Sequence, residues 1–340
     1  MTVAQVALGA VILVAVSADM LLTALRVDTY SGPITRHASG LLWRFFTDRR
    51  LPGRRGGPPN GTGLVIALTV VTLWLALTLA GWFLIVSSSD SAVVNGTTGE
   101  PADGWATLYY TAFVLSTLGV GDYVAGGAVW QVLTGLAATA GFAIVSLMIT
   151  YVVSLTAAVS DKRRFARRVF VLGDSPVDIV LRGQGDKNRE VLDQHLLELT
   201  SDLVSLAETH RAFPVLYYFG TREREAAHWP AVAVLDETLL LLGHLIADGR
   251  RAEPDLVIDP ARRAIGSYLA SLPNPYRRPS EDDPPPPGLG RLRDAGVPLQ
   301  PPHVVDRVLE EVQPRRARIL TVLDHQGWSW ADALSHHDLR

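Results

Sequence analysis

Residues 116–123 read STLGVGDY, a short stretch with two glycines at alternate positions, closed by a carboxylate and an aromatic ring. It sits among strongly apolar segments of a 340-residue chain that is 48% hydrophobic, which is high for a soluble protein of this length. Leu64 to Val86 contains no ionisable residue and exceeds the roughly 20 residues that cross a hydrocarbon core, so it reads as a membrane span. Val124 to Ser160 is also free of charge and overshoots a ~30 Å core, so a helix there should project beyond the membrane. Val3 to Leu25, apolar apart from Gln5 and Asp19, makes a third candidate. Ala106 to Leu115 is too short to span and runs into the quoted stretch, the pattern of a re-entrant segment.

The formal net charge of -3 averages over unlike regions. Arg26, Arg36, Arg44, Arg49, Arg50, Arg54 and Arg55 fill the gap between the first two spans, and Lys162, Arg163, Arg164, Arg167 and Arg168 follow the third. Both places are expected on the cytoplasmic side, which puts the N-terminus and the acidic gap with Asp90, Glu100 and Asp103 outside. Val16-Ser17-Ala18 resembles a signal-peptide cleavage site, but it lacks a basic flank, and cleavage would export the Arg-rich gap; the first span is expected to stay. The absence of cysteine excludes disulfides, thiolate zinc sites, iron-sulfur clusters and cysteine nucleophiles.

Non-helical backbone at membrane depth must be sheltered in protein or line a watery path, because its free carbonyls cannot face lipid. Glycines at alternate positions permit left-handed dihedrals, and alternating hands can turn successive carbonyls to one side. A column of such oxygens suits a weakly hydrated monovalent cation.

Thr117-Leu118-Gly119-Val120-Gly121-Asp122 resembles the filter hexad T-V/I-G-Y/F-G-D of the potassium channel pore family. An aromatic pair, Tyr109 and Tyr110, and a glycine at the position of the family's inner-helix hinge, Gly141, extend the resemblance over about residues 64 to 160. It implies an all-α integral membrane protein: a homotetrameric pore of outer helix 64–86, pore helix 104–116, filter 117–122 and inner helix 124–160. A transmembrane helix (1–27) and a basic linker (28–62) precede this pore domain (63–161), and a mostly helical cytoplasmic domain (162–340) follows it. The resemblance further implies that the carbonyls of Thr117, Leu118, Gly119 and Val120 and the Thr117 hydroxyl coordinate K+ beside Gly121, with Asp122 bracing the outer mouth. The pore helix would aim its negative end at a central cavity. The permeant K+, the lipid bilayer and three further copies of the chain are the partners implied; no cofactor, nucleic acid or catalysis is expected.

Three departures bear on this transfer. Val120 replaces the usual aromatic, which removes packing around the filter and puts selectivity in question. Phe113 stands where several members carry a Glu that pairs with the filter-end Asp, so Asp122 needs another partner. Leu118 for Val or Ile is milder. Two alternatives therefore stay open, a weakly selective cation channel of the same build and a non-conducting membrane receptor.

Several features have plainer readings. Gly141 could serve close helix packing with Gly135, Ala137, Ala138 and Ala140 instead of hinging. Asp19 lies toward the cytoplasmic end, where snorkelling or pairing with Arg26 would suffice. The sequons at Asn60 and Asn95 read as accidental, and His325, His336 and His337 as surface. The Arg-rich gap (28–62), with Leu41, Leu42, Trp43, Phe45 and Phe46 among the arginines, suits either an interfacial helix or a plain linker.

Beyond Lys162 the stripe Leu192, Leu196, Leu199, Leu203 and Leu206 predicts a helix with one buried face. Ala231 to Ala247 predicts another, opened by Pro230, and Val304–Val312 and Arg315–Leu323 two shorter ones around Pro314. Phe170–Leu172 and Ile179–Leu181 flank a Gly-Asp-Ser-Pro stretch and read as a hairpin, and residues 279–288 as a stiff or disordered Pro-rich loop. No Rossmann fingerprint, cyclic-nucleotide pattern or arginine ladder appears, so the sequence does not indicate what would open a pore.

Overall fold

The computed structural model describes residues 2–24, 32–48, 61–247, 255–272, 276, 279–280 and 282–334. Their regular structure is helical apart from one small ribbon. In chain order the elements are α1 (Val3–Ala24), α2 (Pro33–Asp48), α3 (Thr62–Val86), β1 (Val93–Asn95), α4 (Gly104–Leu115), β2 (Tyr123–Ala125) and α5 (Ala128–Leu172). There follow α6 (Pro176–Arg182), α7 (Asp186–Ala212), α8 (His228–Leu240), α9 (Ile258–Ser271), α10 (Gly290–Asp294), α11 (Pro302–Gln326) and α12 (Trp330–Leu334). Helices α1, α3 and α5 are long and apolar enough to cross a membrane. The chain forms two compact units, one of residues 1–42, 64–156 and 212–214, the other of residues 43–63, 157–211 and 215–340.

In the first unit α1 and α3 cross where a Cβ on Gly9 would lie 2.6 Å from the Gly81 carbonyl oxygen, so only a small residue permits the approach. Asp19 of α1 is fully buried. Its carboxylate accepts from the Ile34 amide at 2.7 Å, the Thr35 amide at 3.2 Å, the Thr35 hydroxyl at 2.6 Å and the Trp74 indole N–H at 2.9 Å. Ile34 and Thr35 are in the first turn of α2, where helix amides lack partners, so Asp19 caps α2 from a neighbouring helix and holds Trp74 of α3 as well. Pairing with Arg26 is not needed to explain the buried acid; Arg26 lies outside the described residues, as do Arg49, Arg50, Arg54 and Arg55. Of the two readings left open for the basic linker, a helix forms, α2, and Leu41 and Phe45 on it are exposed.

The segment between α3 and α4 pairs with the segment after Gly121. Strands β1 and β2 run antiparallel in the register Val93 to Ala125, Val94 to Val124 and Asn95 to Tyr123. Sequence patterning did not indicate this ribbon, because each strand is only three residues long.

The second unit is built around α8, every residue of which is buried. A helix apolar on all sides must be wrapped, and α6, α9, α11 and α12 pack around it. Asp236 and Glu237 on α8 are buried too, and α11 supplies their partners: Arg315 pairs with Asp236, and Arg316 Nε donates to Glu237 Oε1 at 2.6 Å. Helix α7 buries Leu192, Leu196, Leu199, Leu203 and Leu206, the expected stripe.

Four expectations in this unit are corrected. The hairpin is absent: Phe170–Leu172 ends α5, and Ile179–Leu181 lies in α6, whose N-cap Ser175 accepts from the Asp178 amide at 3.1 Å, with Pro176 in the first turn. Ser-Pro is a helix-start pair, and this signal outweighs the apolar runs on either side. The two short helices around Pro314 are one helix, α11. Pro314 removes one ladder bond, yet Val305 and Val312 before it and Ile319, Leu320 and Leu323 after it share one core, and that burial carries the helix through. The helix expected over Ala231–Ala247 begins at His228 and gives way at Leu241 to a wider π turn ending at Leu245. The Pro-rich loop is packed rather than free, since the Pro285 carbonyl accepts from Arg316 Nη2 at 2.6 Å and Pro284 is buried.

Candidate functional site

Helix α4 is twelve residues long and starts at a capped end, with Asp103 accepting from the Ala106 amide at 2.7 Å. Its other end closes in a specific way. The Leu118 amide donates to the Phe113 carbonyl at 2.9 Å and the Thr117 amide to the Val114 carbonyl at 3.0 Å. These are the paired bonds of a Schellman motif, which needs a left-handed residue after the helix; Thr117 takes that role with φ +59°. Glycine usually stands there. A β-branched residue in this region is strained by roughly 1–3 kcal/mol, and such strain persists where the surroundings impose it.

Gly119 follows with φ +59° and Gly121 with φ +88°, while Leu118 and Val120 keep negative values. The backbone therefore alternates in hand over five residues, the geometry inferred from the glycine spacing. Among the described residues no hydrogen bond reaches the carbonyl oxygens of Thr117, Leu118, Gly119 or Val120. Backbone carbonyls buried away from water are nearly always paired, so four successive unpaired acceptors must face water, an ion or a polar partner. The loop is exposed on the single chain, with Leu118 69% and Val120 51% accessible.

The far end of the loop is anchored. The Asp122 carbonyl accepts from the Gly96 amide at 2.8 Å, and the Asp122 carboxylate accepts from the Tyr123 amide at 3.0 Å. Tyr109 packs edge-on against Tyr123 with ring centroids 6.3 Å apart, which places it beside the Asp122 end of the loop. Phe113 is buried, with its ring centroid 5.2 Å from both Tyr109 and Tyr110. The Tyr110 hydroxyl lies 2.5 Å from the Thr134 hydroxyl of α5, and Thr134 in turn donates to the Trp130 carbonyl at 2.7 Å. Tyr110 thus fastens α4 to α5 by a hydrogen bond, while Tyr109 meets the loop end through ring packing.

Gly141 meets the end of α4 directly. A Cβ there would sit 2.0 Å from the Leu115 carbonyl oxygen, and α5 runs unbroken past it. The plain packing reading thus has a specific contact behind it. Gly135, by contrast, has open space where a Cβ would be.

Other singled-out residues do not join this site. Asn95 uses its side-chain oxygen in a turn, accepting from the Thr97 amide at 2.9 Å and the Thr98 amide at 3.0 Å. His325 bonds the Thr321 carbonyl at 2.8 Å, whereas His336, His337 and Asn60 lie outside the described residues. No group of three possible metal-binding side chains occurs among the described residues. The arginines after α5's apolar part line a cavity with Ser160 and His195, but carboxylates answer most of them: Arg164 pairs with Asp161, Arg167 with Glu223, and Arg168 with Glu198 and Asp202.

No family profile and no solved structure matches the chain. A protein of Bacillus subtilis (strain 168), the uncharacterized membrane protein YdjJ, is 29% identical to it over 323 residues, covering 95% of this chain and 94% of the relative. The relative's description and the three apolar helices agree on a membrane protein. Coverage of nearly the full length means that the similarity takes in both units.

Proposed function

We propose that the chain is one subunit of a homotetrameric potassium channel, conducting K+ through oxygens of the Thr117–Gly121 loop. The observation that carries this reading is the run of four unpaired carbonyls on a backbone of alternating hand, held between α4 and β2 and flanked by two membrane-length helices. Unpaired carbonyls at membrane depth are tolerated only along a watery or ion-filled path. Four loops around an axis would provide enough oxygens to replace a potassium hydration shell, with the Thr117 hydroxyl at the inner end. Exposure of Leu118 and Val120 on the single chain fits a surface that other copies cover. The cytoplasmic placement of the second unit follows from the positive-inside bias and belongs to this proposal.

Val120 supports a second reading, weaker discrimination between K+ and Na+. Its small side chain offers less packing than the ring usual at this position, so the loop end is held mainly through the Asp122 bonds to the Gly96 and Tyr123 amides. Purified protein in planar bilayers decides between the two under bi-ionic potassium and sodium. A strongly shifted reversal potential supports selective conduction, a reversal near zero supports the weakly selective channel, and no current in any condition removes both.

A further inference from the structure

In the second unit five elements meet around a buried polar cluster that the ion-conducting reading does not use. Lys162, in the charged part of α5 that begins after Ser160, is 5% exposed; its Nζ donates to the Leu216 carbonyl at 2.8 Å and the Phe219 carbonyl at 2.9 Å. His210 ends α7 and His228 opens α8; their rings stack at 5.8 Å. The Tyr268 hydroxyl of α9 joins the two, 2.8 Å from His228 Nε2 and 3.1 Å from His210 Nδ1. Phe165 of α5 packs on His228 at 5.2 Å, and Trp229 stacks on Tyr268 at 5.2 Å.

The composition of this cluster is one-sided. The groups that face it are Lys162, with Arg163 beside it, from α5; His210 from α7; Tyr217 from the turn before α8; His228 from α8; and Tyr268 from α9. Among the described residues no carboxylate pairs or hydrogen-bonds with Lys162, His210 or His228, and His228 Nδ1 is buried without a partner. Every proton added therefore brings positive charge into a dry site that has no anion to offset it.

We propose that this cluster is a proton-sensitive seat for the end of α5, closed when its basic groups are neutral and opened by each proton taken up. Burial lowers Lys162 to about 7, and burial with the Lys162 charge lowers His210 to about 3 and His228 well below its ordinary range. Opening returns them to 10.5 for the lysine and 6.5 for the histidines. The opening equilibrium should then rise up to about tenfold per pH unit as pH falls through the lysine window above 7, level off, and rise again below 6.5 through the histidines. Because α5 is one helix from Ala128 to Leu172, the same helix carries Gly141 at its other end. Acidification of the compartment facing this unit would thereby release the end of the helix proposed to line the pore.

The test is hydrogen exchange on the full-length protein in lipid nanodiscs from pH 5 to 9, corrected for the intrinsic pH dependence of exchange. The peptides to read cover residues 160–170, 206–220 and 264–270. Wild type should lose protection about tenfold per unit between pH 9 and 7.5, Lys162→Met should flatten that arm, and the His210→Gln/His228→Gln pair should flatten only the arm below 6.5. Lys162→Arg, which keeps a charge that does not titrate, should flatten the upper arm as well, so a packing role alone is distinguishable. Constant protection in wild type, or an undiminished upper slope in Lys162→Met, overturns the proposal. Neither readout depends on ion flux, so the channel reading can fail while this one stands.

Discussion

Replacing Asp19 by Ala removes one acceptor group through which α1 holds both α2 and α3. The Ile34 and Thr35 amides and the Trp74 indole N–H lose their partner, while the Thr35 hydroxyl can turn toward Thr23 Oγ1, 3.4 Å away. A buried donor left unsatisfied costs about 1–3 kcal/mol, so three of them set an upper bound near 9 kcal/mol. Asp19 sits five residues from the end of α1, where water can reach a newly opened site, and the net loss should be about 3–5 kcal/mol. At roughly 2–4 °C per kcal/mol for a unit of this size, the thermal midpoint in nanodiscs should fall by about 10 °C. Hydrogen exchange at Ile34 and Thr35 should accelerate together with that fall. Asp19→Asn, which keeps one acceptor oxygen but turns an NH2 toward donors, should lie between Ala and wild type. A midpoint within about 2 °C of wild type, with unchanged exchange at the start of α2, would refute the reasoning.

Three further outcomes follow from the packing. Arg316→Met leaves Glu237 buried without its cation and should cost about 3–5 kcal/mol in chemical unfolding, whereas Arg316→Met with Glu237→Leu should recover most of it. Equal stability of the single and double variants would show that the pair is not coupled. Gly141→Ala pushes a methyl group to 2.0 Å from the Leu115 carbonyl and should destabilise by about 1–3 kcal/mol, while Gly135→Ala, with open space, should be neutral; equal effects would contradict the close contact. Because His210 titrates near 3 when folded and 6.5 when exposed, the unfolded chain binds the extra proton between those values. The His210 contribution should therefore be constant above about pH 6.5 and decline as pH falls below it, separately from the Lys162 loss between about pH 10.5 and 7, and His210→Gln should soften only the acid arm of an unfolding series.

Much of the membrane-facing architecture was legible because its signals are local. The three apolar runs and the glycine spacing each act within a few residues, and α1, α3 and α4 start and end close to where composition placed them, whereas α5 runs past the expected end at 160, through the charged residues, to Leu172. The alternating hand of the loop was legible too, although Thr117 was not, since the Schellman closure that turns it left-handed depends on the end of α4. What escaped is mostly long-range. Asp19 meets Trp74 from 55 residues away, Lys162 meets Phe219 from 57, and His210 meets Tyr268 from 58, and no periodicity links such pairs. The misread hairpin had a local signal after all: Ser175-Pro176 is a helix start, and the apolar triplets beside it drew attention away. Pro314 shows the converse, a strong local breaker overridden by a core that buries both sides of it.

The most direct test of ion conduction through the loop is a density map of the assembly purified in potassium. The proposed function requires four copies about one axis, with the Thr117–Gly121 strands facing it and a file of ion densities between their carbonyls. A single copy, or a loop turned toward lipid with no density beside it, would contradict the proposal.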